Sequence, residues 1–321
     1  MDHLHASPLS RRGFCLCCLG SATFAATGGW LTPRAIFAQA QGIVQGITAA
    51  AAAAPIRIHR LRDGISMLEG SGGNVAVSAG PDGKVLVDAG IAVSRPQFSE
   101  ALESLGPEPV TQLINTHWHF DHTSGNEWLH ELGPAILAHE NTRKHLSTMT
   151  RVEDWDYDFP PLVAGAVPGE VFADERILRL NGAIELKHHA SAHTDSDIVA
   201  TFPEQAVVHT GDLYWSAGYP FIDRSTGGNI GGKIRAIEAI LAAVGDDTII
   251  IPGHGPISDK AGLARYHVML STIRDRVAAL KAQGRTEGEA IAAAPTAPFD
   301  VEWGQYVIDP GFFTRLIYAD V

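Results

Sequence analysis

Thr116-His117-Trp118-His119-Phe120-Asp121-His122 is the stretch on which the reading of this chain turns. It follows directly on Leu113-Ile114-Asn115, the end of an apolar run over 110–115 with the texture of a buried strand. Three imidazoles and a carboxylate crowded together at a strand end are costly to place unless something binds them. In extended backbone, side chains two apart lie on the same side. His117 and His119 therefore face one way, suited to gripping one cation, and the turn at Asp121-His122 offers a second pair of donors for a neighbouring ion.

Working outward, single donors recur at later strand ends: His193 in Ser191-Ala192-His193-Thr194, Asp212 in Thr210-Gly211-Asp212, and His254 in Pro252-Gly253-His254-Gly255. Each sits where a strand gives way to a turn of small residues, the usual place for a site built on a rigid sheet. The first half predicts strands at 56–58, 65–68, 74–77, 84–88 and 110–115, with a helix near 97–105. Pro81-Asp82-Gly83 is a strong turn signal, and Gly70-Ser71-Gly72-Gly73 reads as a flexible hairpin tip. The second half predicts strands at 183–186, 198–202, 206–209 and 248–251, and helices at 232–244 and 260–283. Strand-rich halves interleaved with amphipathic helices predict an α/β chain with two sheets face to face and helices outside. Residues 151–175 are acidic, aromatic and proline-rich, and read as a long loop of the kind that is often functional.

The seven donors, in this order and spacing, resemble the metallo-β-lactamase superfamily, and the resemblance runs from about residue 56 to about residue 270. It implies a four-layer αββα sandwich with a two-metal cleft along one edge. Carried over residue by residue, His117, His119 and His193 would hold one ion and Asp121, His122 and His254 the other, with Asp212 bridging both. Two zinc ions are the implied cofactor, with iron or manganese as other occupants. A hydroxide shared between them would attack a carbonyl carbon, and Asp121 can both ligate and accept a proton. The best-known zinc β-lactamases carry cysteine or serine where this chain has Asp212; the aspartate is typical of glyoxalase II-like thioesterases and lactonases. The hairpin over 65–77 resembles the mobile loop that covers β-lactams, which marks Met67 and Leu68 as candidate substrate contacts. The expected function is a dinuclear zinc hydrolase opening a cyclic amide or ester of a small molecule, β-lactams first. A glyoxalase II-like thioesterase, a lactonase and a mononuclear-iron sulfur dioxygenase are the alternatives.

The other histidines invite plainer readings. His130, His139, His145 and His267 fall on predicted helices or their ends, at the surface; His209 reads as core or as support for the site; at most one of His188 and His189 looks inward. Asp195 and Asp197 follow His193 closely and are candidates to orient it.

Of the 321 residues, 24 are Lys or Arg against 36 Asp or Glu, a net charge of −12. So acidic a surface repels phosphate backbones and argues against a nucleic-acid partner. Cys15, Cys17 and Cys18 are the only cysteines, which excludes disulfides, thiolate zinc sites and cysteine nucleophiles from the body of the protein. Ser10-Arg11-Arg12-Gly13-Phe14, an apolar stretch and Ala38-Gln39-Ala40 are the parts of a twin-arginine secretory signal over residues 1–40. The expectation is a periplasmic or secreted protein beginning at Gln41, without stable membrane insertion after cleavage. Residues 41–55 read as an alanine-rich tether and 56–321 as the catalytic domain with a C-terminal helical extension.

Overall fold

The computed structural model describes residues 42–321; the expected signal over 1–40 lies outside the described residues. Helix α1 (Ile43–Ala53) comes first, then strands β1 (Arg57–Arg62), β2 (Ile65–Glu69), β3 (Val75–Gly80) and β4 (Gly83–Val87). Helix α2 (Arg95–Ser104) leads to β5 (Val110–Asn115), β6 (Ala135–His139) and α3 (Glu140–Ser147). The short strands β7 (Thr150–Val152), β8 (Tyr157–Phe159) and β9 (Glu170–Phe172) precede β10 (Glu175–Arg179), β11 (Ala183–His188), β12 (Ile198–Phe202) and β13 (Val207–His209). Helix α4 (Ile230–Ala243), strand β14 (Ile249–Ile251) and helices α5 (Lys260–Ala282), α6 (Glu287–Ala292) and α7 (Pro310–Asp320) complete the chain.

One sheet runs β1-β2-β3-β4-β5-β6-β9 and the other β10-β11-β12-β13-β14, with β7 and β8 as a separate hairpin. Alternation along the strands divides the apolar residues into layers. Val85, Val87, Ile114 and Leu137 of the first sheet pack against Ile184, Leu186, Ile198, Phe202 and Val207 of the second. The intervening Leu86, Leu113 and Ile136 face outward and are covered by Phe98 and Leu102 of α2. Val199, Val208 and Ile250 face the other way, beneath Ile234 and Ile237 of α4 and Leu270 and Ile273 of α5. The central strands are apolar on both faces for this reason, and the result is the αββα sandwich expected from the sequence. Strand β4 runs parallel to β5, and β13 parallel to β14. β11 is antiparallel to β12, which is antiparallel to β13. Within each sheet, the carboxyl ends of the strands preceding the donors therefore point the same way. Among the described residues, no helix is long and apolar enough to cross a membrane.

Three expectations need correction. Residues 43–53 are a helix and not a tether, with Ile43, Val44, Gly46 and Ala51 buried. The apolar stripe is present at 43, 47, 51 and 54, but its second half is alanine, so composition concealed it while alanine's helix propensity favoured it. Residues 151–175 are not one loop: β7 pairs with β8, and β9 extends the first sheet beside β6. His139 is 3% exposed at the end of β6, its ring stacked on His188 at 3.7 Å.

Truncation should separate the inter-sheet layer from the surface. Ile198→Ala is expected to lose about 2–5 kcal/mol of unfolding free energy. Ile177→Ala, at a side chain 56% exposed on the second sheet's edge, should stay within about 0.5 kcal/mol. Urea unfolding of both variants measures the difference.

Candidate metal centre

All seven sequence-predicted donors converge. His117, His119, His193 and Asp212 form one buried group; Asp121, His122 and His254 form another; within each, the ligating atoms lie within 4.8 Å of one another. Asp212 stands between the groups. Its Oδ2 is 3.4 Å from His193 Nε2 and 4.0 Å from His117 Nε2 on one side, and 3.3 Å from His254 Nε2 on the other; its Oδ1 is 3.0 Å from His122 Nε2. His254 Nε2 also lies 3.2 Å from Asp121 Oδ2.

Three of the imidazoles are turned by a partner on the far nitrogen. His122 Nδ1 lies 2.7 Å from Asp88 Oδ2, His119 Nε2 lies 3.0 Å from Asp223 Oδ2, and His193 Nδ1 lies 2.9 Å from the Phe221 carbonyl. The opposite nitrogens then face the centre, where His119 Nδ1 and His193 Nε2 approach to 2.9 Å. His117 Nε2 and Asp212 Oδ1 are buried without a hydrogen-bond partner. Around a tetrahedral ion at 2.0–2.1 Å, donors stand ~3.4 Å apart, the spacing seen here. Orphaned donors aimed inward, and a set made only of imidazole and carboxylate, fit a divalent cation such as zinc, iron or manganese.

Local geometry depends on close backbone approach. A Cβ on Gly73 would meet His122 Cε1 at 2.2 Å, and one on Gly253 would meet Asp212 Oδ1 at 2.0 Å. The Gly70–Gly73 segment is thus not a free hairpin tip. It is buried, with Gly73 N donating to the Asp121 carbonyl and Asn74 N to that of Gly253. Nor do Met67 and Leu68 contact the pocket. Both are core residues, 0% and 2% exposed on opposite faces of β2, because that strand is covered on both sides.

Several supports were not legible beforehand. Asp88, at φ +71°, accepts from Thr116 N, Thr116 Oγ1 and the His122 ring. Its signal was a carboxylate closing the apolar run Val85-Leu86-Val87; Asp223 had none. Asp197 does bear on His193, but through the backbone: it accepts from His193 N, Thr194 N and Thr194 Oγ1. Asp195 turns away to His145 Nε2 at 2.9 Å. His209 supports the site as expected, joining the Asn74 carbonyl to Gly211 N. Lys233 is fully buried, its Nζ donating to the Asp212 carbonyl; burial pulls its pKa down to about 8 despite Asp212 and Asp197.

Burial and the neighbouring His122 hold His117 well below the ordinary histidine range, and burial does the same for His193. Burial also opposes charge on His254, but Asp212 and Asp121 outweigh it and push His254 up to about 9. His122 is likewise raised, by Asp212, Asp88 and Asp121. A cation entering here must displace those protons. Since protonated His254 persists up to about pH 9, metal affinity should rise from pH 6 toward pH 9. Competition with a chromophoric chelator across that range measures it; a flat profile would contradict the assignment.

Over the donors lies a cavity of about 60 Å³, walled by α1 (Ile43, Ile47, Ala50), by Trp155 and Phe221, and by Trp215 and Tyr306. Trp155 stands 5.3 Å from the His119 ring and Trp215 4.6 Å from that of His254. The aromatic segment 151–175 thus reaches the site through Trp155.

The family model described as the metallo-beta-lactamase superfamily matches residues 68–254. The hydroxyacylglutathione hydrolase of Rhodospirillum rubrum is 28% identical over 214 residues, 64% of this chain and 72% of that protein. That of Polaromonas sp. is 27% identical over 158 residues, 47% of this chain and 51% of its own length. The metallo-beta-lactamase type 2 of Bacillus cereus is 24% identical over 164 residues, 51% and 59% of the two chains. The chain thus spans only about half to three quarters of these relatives. Among solved structures, the DIM-1 metallo-beta-lactamase is 21% identical with a TM-score of 0.55, covering 68% of this chain and 98% of that one. The sec-alkylsulfatase Pisa1 from Pseudomonas sp. is 16% identical with a TM-score of 0.65, covering 88% and 54%. With sandwich, donor order and family model in agreement, the chain belongs to the metallo-β-lactamase superfamily.

Proposed function

We propose that this protein is a metal-dependent hydrolase that holds two divalent cations, zinc foremost, and cleaves an acyl bond of a small molecule. The observation that carries the reading is Asp212, one carboxylate shared by two groups of donors. When bound, such a pair of cations supplies a water acidified toward neutral pH and a Lewis acid for a carbonyl oxygen. The chain's own residues do the rest. Asp88 and Asp223 fix the rings of His122 and His119. Asp121, 6% exposed at the cavity's edge, is placed to accept a proton from the attacking water. The apolar walls exclude bulk solvent, which strengthens electrostatic interactions inside.

The relatives' names support two leaving groups: a thiol, as in the hydroxyacylglutathione hydrolases, and the ring nitrogen of a β-lactam, as in the Bacillus cereus protein. Purified protein reconstituted with zinc should contain two ions per chain, and chelation should abolish hydrolysis. Asp212→Ala should hold one ion and lose about 100-fold or more in turnover, the scale of several kcal/mol of charge stabilisation, with its circular dichroism retained. Two ions and an unchanged rate in that variant would sink the dinuclear reading.

We also propose export, from the paired arginines and the Ala38-Gln39-Ala40 site. Expressed in a bacterium with a twin-arginine pathway, the protein should reach the periplasm and begin at Gln41 by terminal sequencing. A cytoplasmic protein retaining residues 1–40 would refute this.

A further inference from the structure

Among the described residues that line the cavity, three side chains besides the metal donors carry a polar atom: Trp155, Trp215 and Tyr306. Two of them stand together on one side, the Trp215 and Tyr306 rings 4.6 Å and 6.5 Å from that of His254. Trp155 stands alone on the other, its ring 5.3 Å from that of His119 and 4.7 Å from that of Phe221. Its Nε1–H is buried without an acceptor among the described residues. A donor sealed from water and left unpaired is costly, and folded proteins keep few of them. Phenylalanine would wall the cavity beside His119 without that cost. The hairpin that carries the indole is also braced from several sides. Arg151 pairs with Glu153, Asp156 and Asp158 across the turn between β7 and β8, and Glu153 N donates to Ser225 Oγ. Asp154 lies 3.3 Å from Arg315 Nη2 of α7 and 3.6 Å from Arg224 Nη2. The indole is thus held rigidly over the site by elements outside both sheets, as a preorganised donor must be.

We propose that Trp155 is a catalytic residue whose indole N–H donates to the carbonyl oxygen of the scissile acyl group. This rests on the hydrolase reading above and deepens it. Position selects that oxygen. Asp121, placed to take the proton of the attacking water, lies 3.2 Å from His254, in the donor group across Asp212 from His119. With the water on that side, the acyl oxygen falls toward His119, beneath Trp155. As the water oxygen bonds to the acyl carbon, the carbonyl π pair moves onto the acyl oxygen, and a fixed N–H strengthens against the growing charge. The pair returns to re-form the carbonyl as the bond to the leaving group breaks. One proton of the water passes by way of Asp121 to the leaving group, the other departs with the acid, and the indole keeps its own throughout. Trp155 therefore serves the part of the substrate that all acyl compounds share.

The test compares the wild type with Trp155→Phe, which keeps an aromatic wall and removes the donor. Both proteins, reconstituted with zinc, are assayed on a hydroxyacyl-glutathione, a penicillin and p-nitrophenyl butyrate. With metal content and circular dichroism unchanged, the variant should lose about tenfold or more in kcat and change less in KM. The factor should be the same on every compound that the wild type hydrolyses. As a readout independent of turnover, isotope-labelled wild type is titrated with butyrate, whose carboxylate oxygen takes the place of the acyl oxygen. In proton–nitrogen correlation spectra the Trp155 indole proton, assigned through its contacts with His119 and Phe221, should move downfield. That measurement stands even if the variant misfolds. A kcat within about threefold of wild type, a loss confined to one leaving group, or an indole resonance unmoved at saturating butyrate would overturn the role of Trp155 and leave the hydrolase standing. No hydrolysis of any compound by wild type carrying two metals would overturn both.

Discussion

Five imidazoles and two carboxylates packed into one dry volume repel one another or stand unsatisfied unless cations or protons are shared among them. Most of the surrounding architecture answers that constraint. His119 Nδ1 and His193 Nε2 approach to 2.9 Å, and His122 Nε2 and His254 Nε2 to 3.3 Å. Nitrogens so placed need a proton or a metal between them. Without metal the structure resolves the conflict by dividing the rings, with His117 and His193 kept neutral and His122 and His254 drawn toward the charged form beside Asp212. Protons settle on His122 and His254, beside Asp212 and Asp121, and a cation binding there must displace them.

Holding the donors there takes a rigid outer shell. Asp88 serves three donors from two segments, so the loop after β5 and the turn carrying His122 move as one body. Asp223 joins His119 to the Thr226 hydroxyl and backbone of its own turn, and Thr226 Oγ1 in turn accepts from Trp118 Nε1. A buried network of this kind specifies geometry when every member is satisfied. It also accounts for Asp88 tolerating a left-handed backbone, since strain persists where the surroundings over-determine it. Glycine at 73 and 253 completes the shell by admitting backbone where any side chain would strike His122 or Asp212.

What was legible in the sequence follows from which interactions are local. The donors announced themselves because each lies beside a strand end, where apolar run, small-residue turn and ligating side chain are consecutive. Nine of the strands and the two long helices followed from periodicity, whereas β6 to β10 did not. Asp223 was invisible because its partner is 104 positions away and nothing in Phe221-Ile222-Asp223 marks it. Met67 and Leu68 misled because a strand covered on both faces presents adjacent apolar residues, which read equally well as an exposed sticky hairpin. Helix α1 was missed for the opposite reason: alanine at 50, 51 and 54 is small enough to sit close over a site without the bulky stripe that signals an amphipathic helix.

That last point bears on how one fold can serve different substrates. The sandwich fixes the donors through strand ends and the shell behind them, and neither α1 nor the segment 306–308 supplies a donor. The roof of the cavity, α1 and the segment 306–308, lies before and after the residues matched by the family model, whereas Trp155, Trp215 and Phe221 lie within them. Similarity over 68–254 reports on the metal centre and is nearly silent about the roof. A substrate class inherited from this span alone rests on the metal centre, whereas the charge and size of the groups on α1, Trp155, Trp215 and Tyr306 bear on it directly.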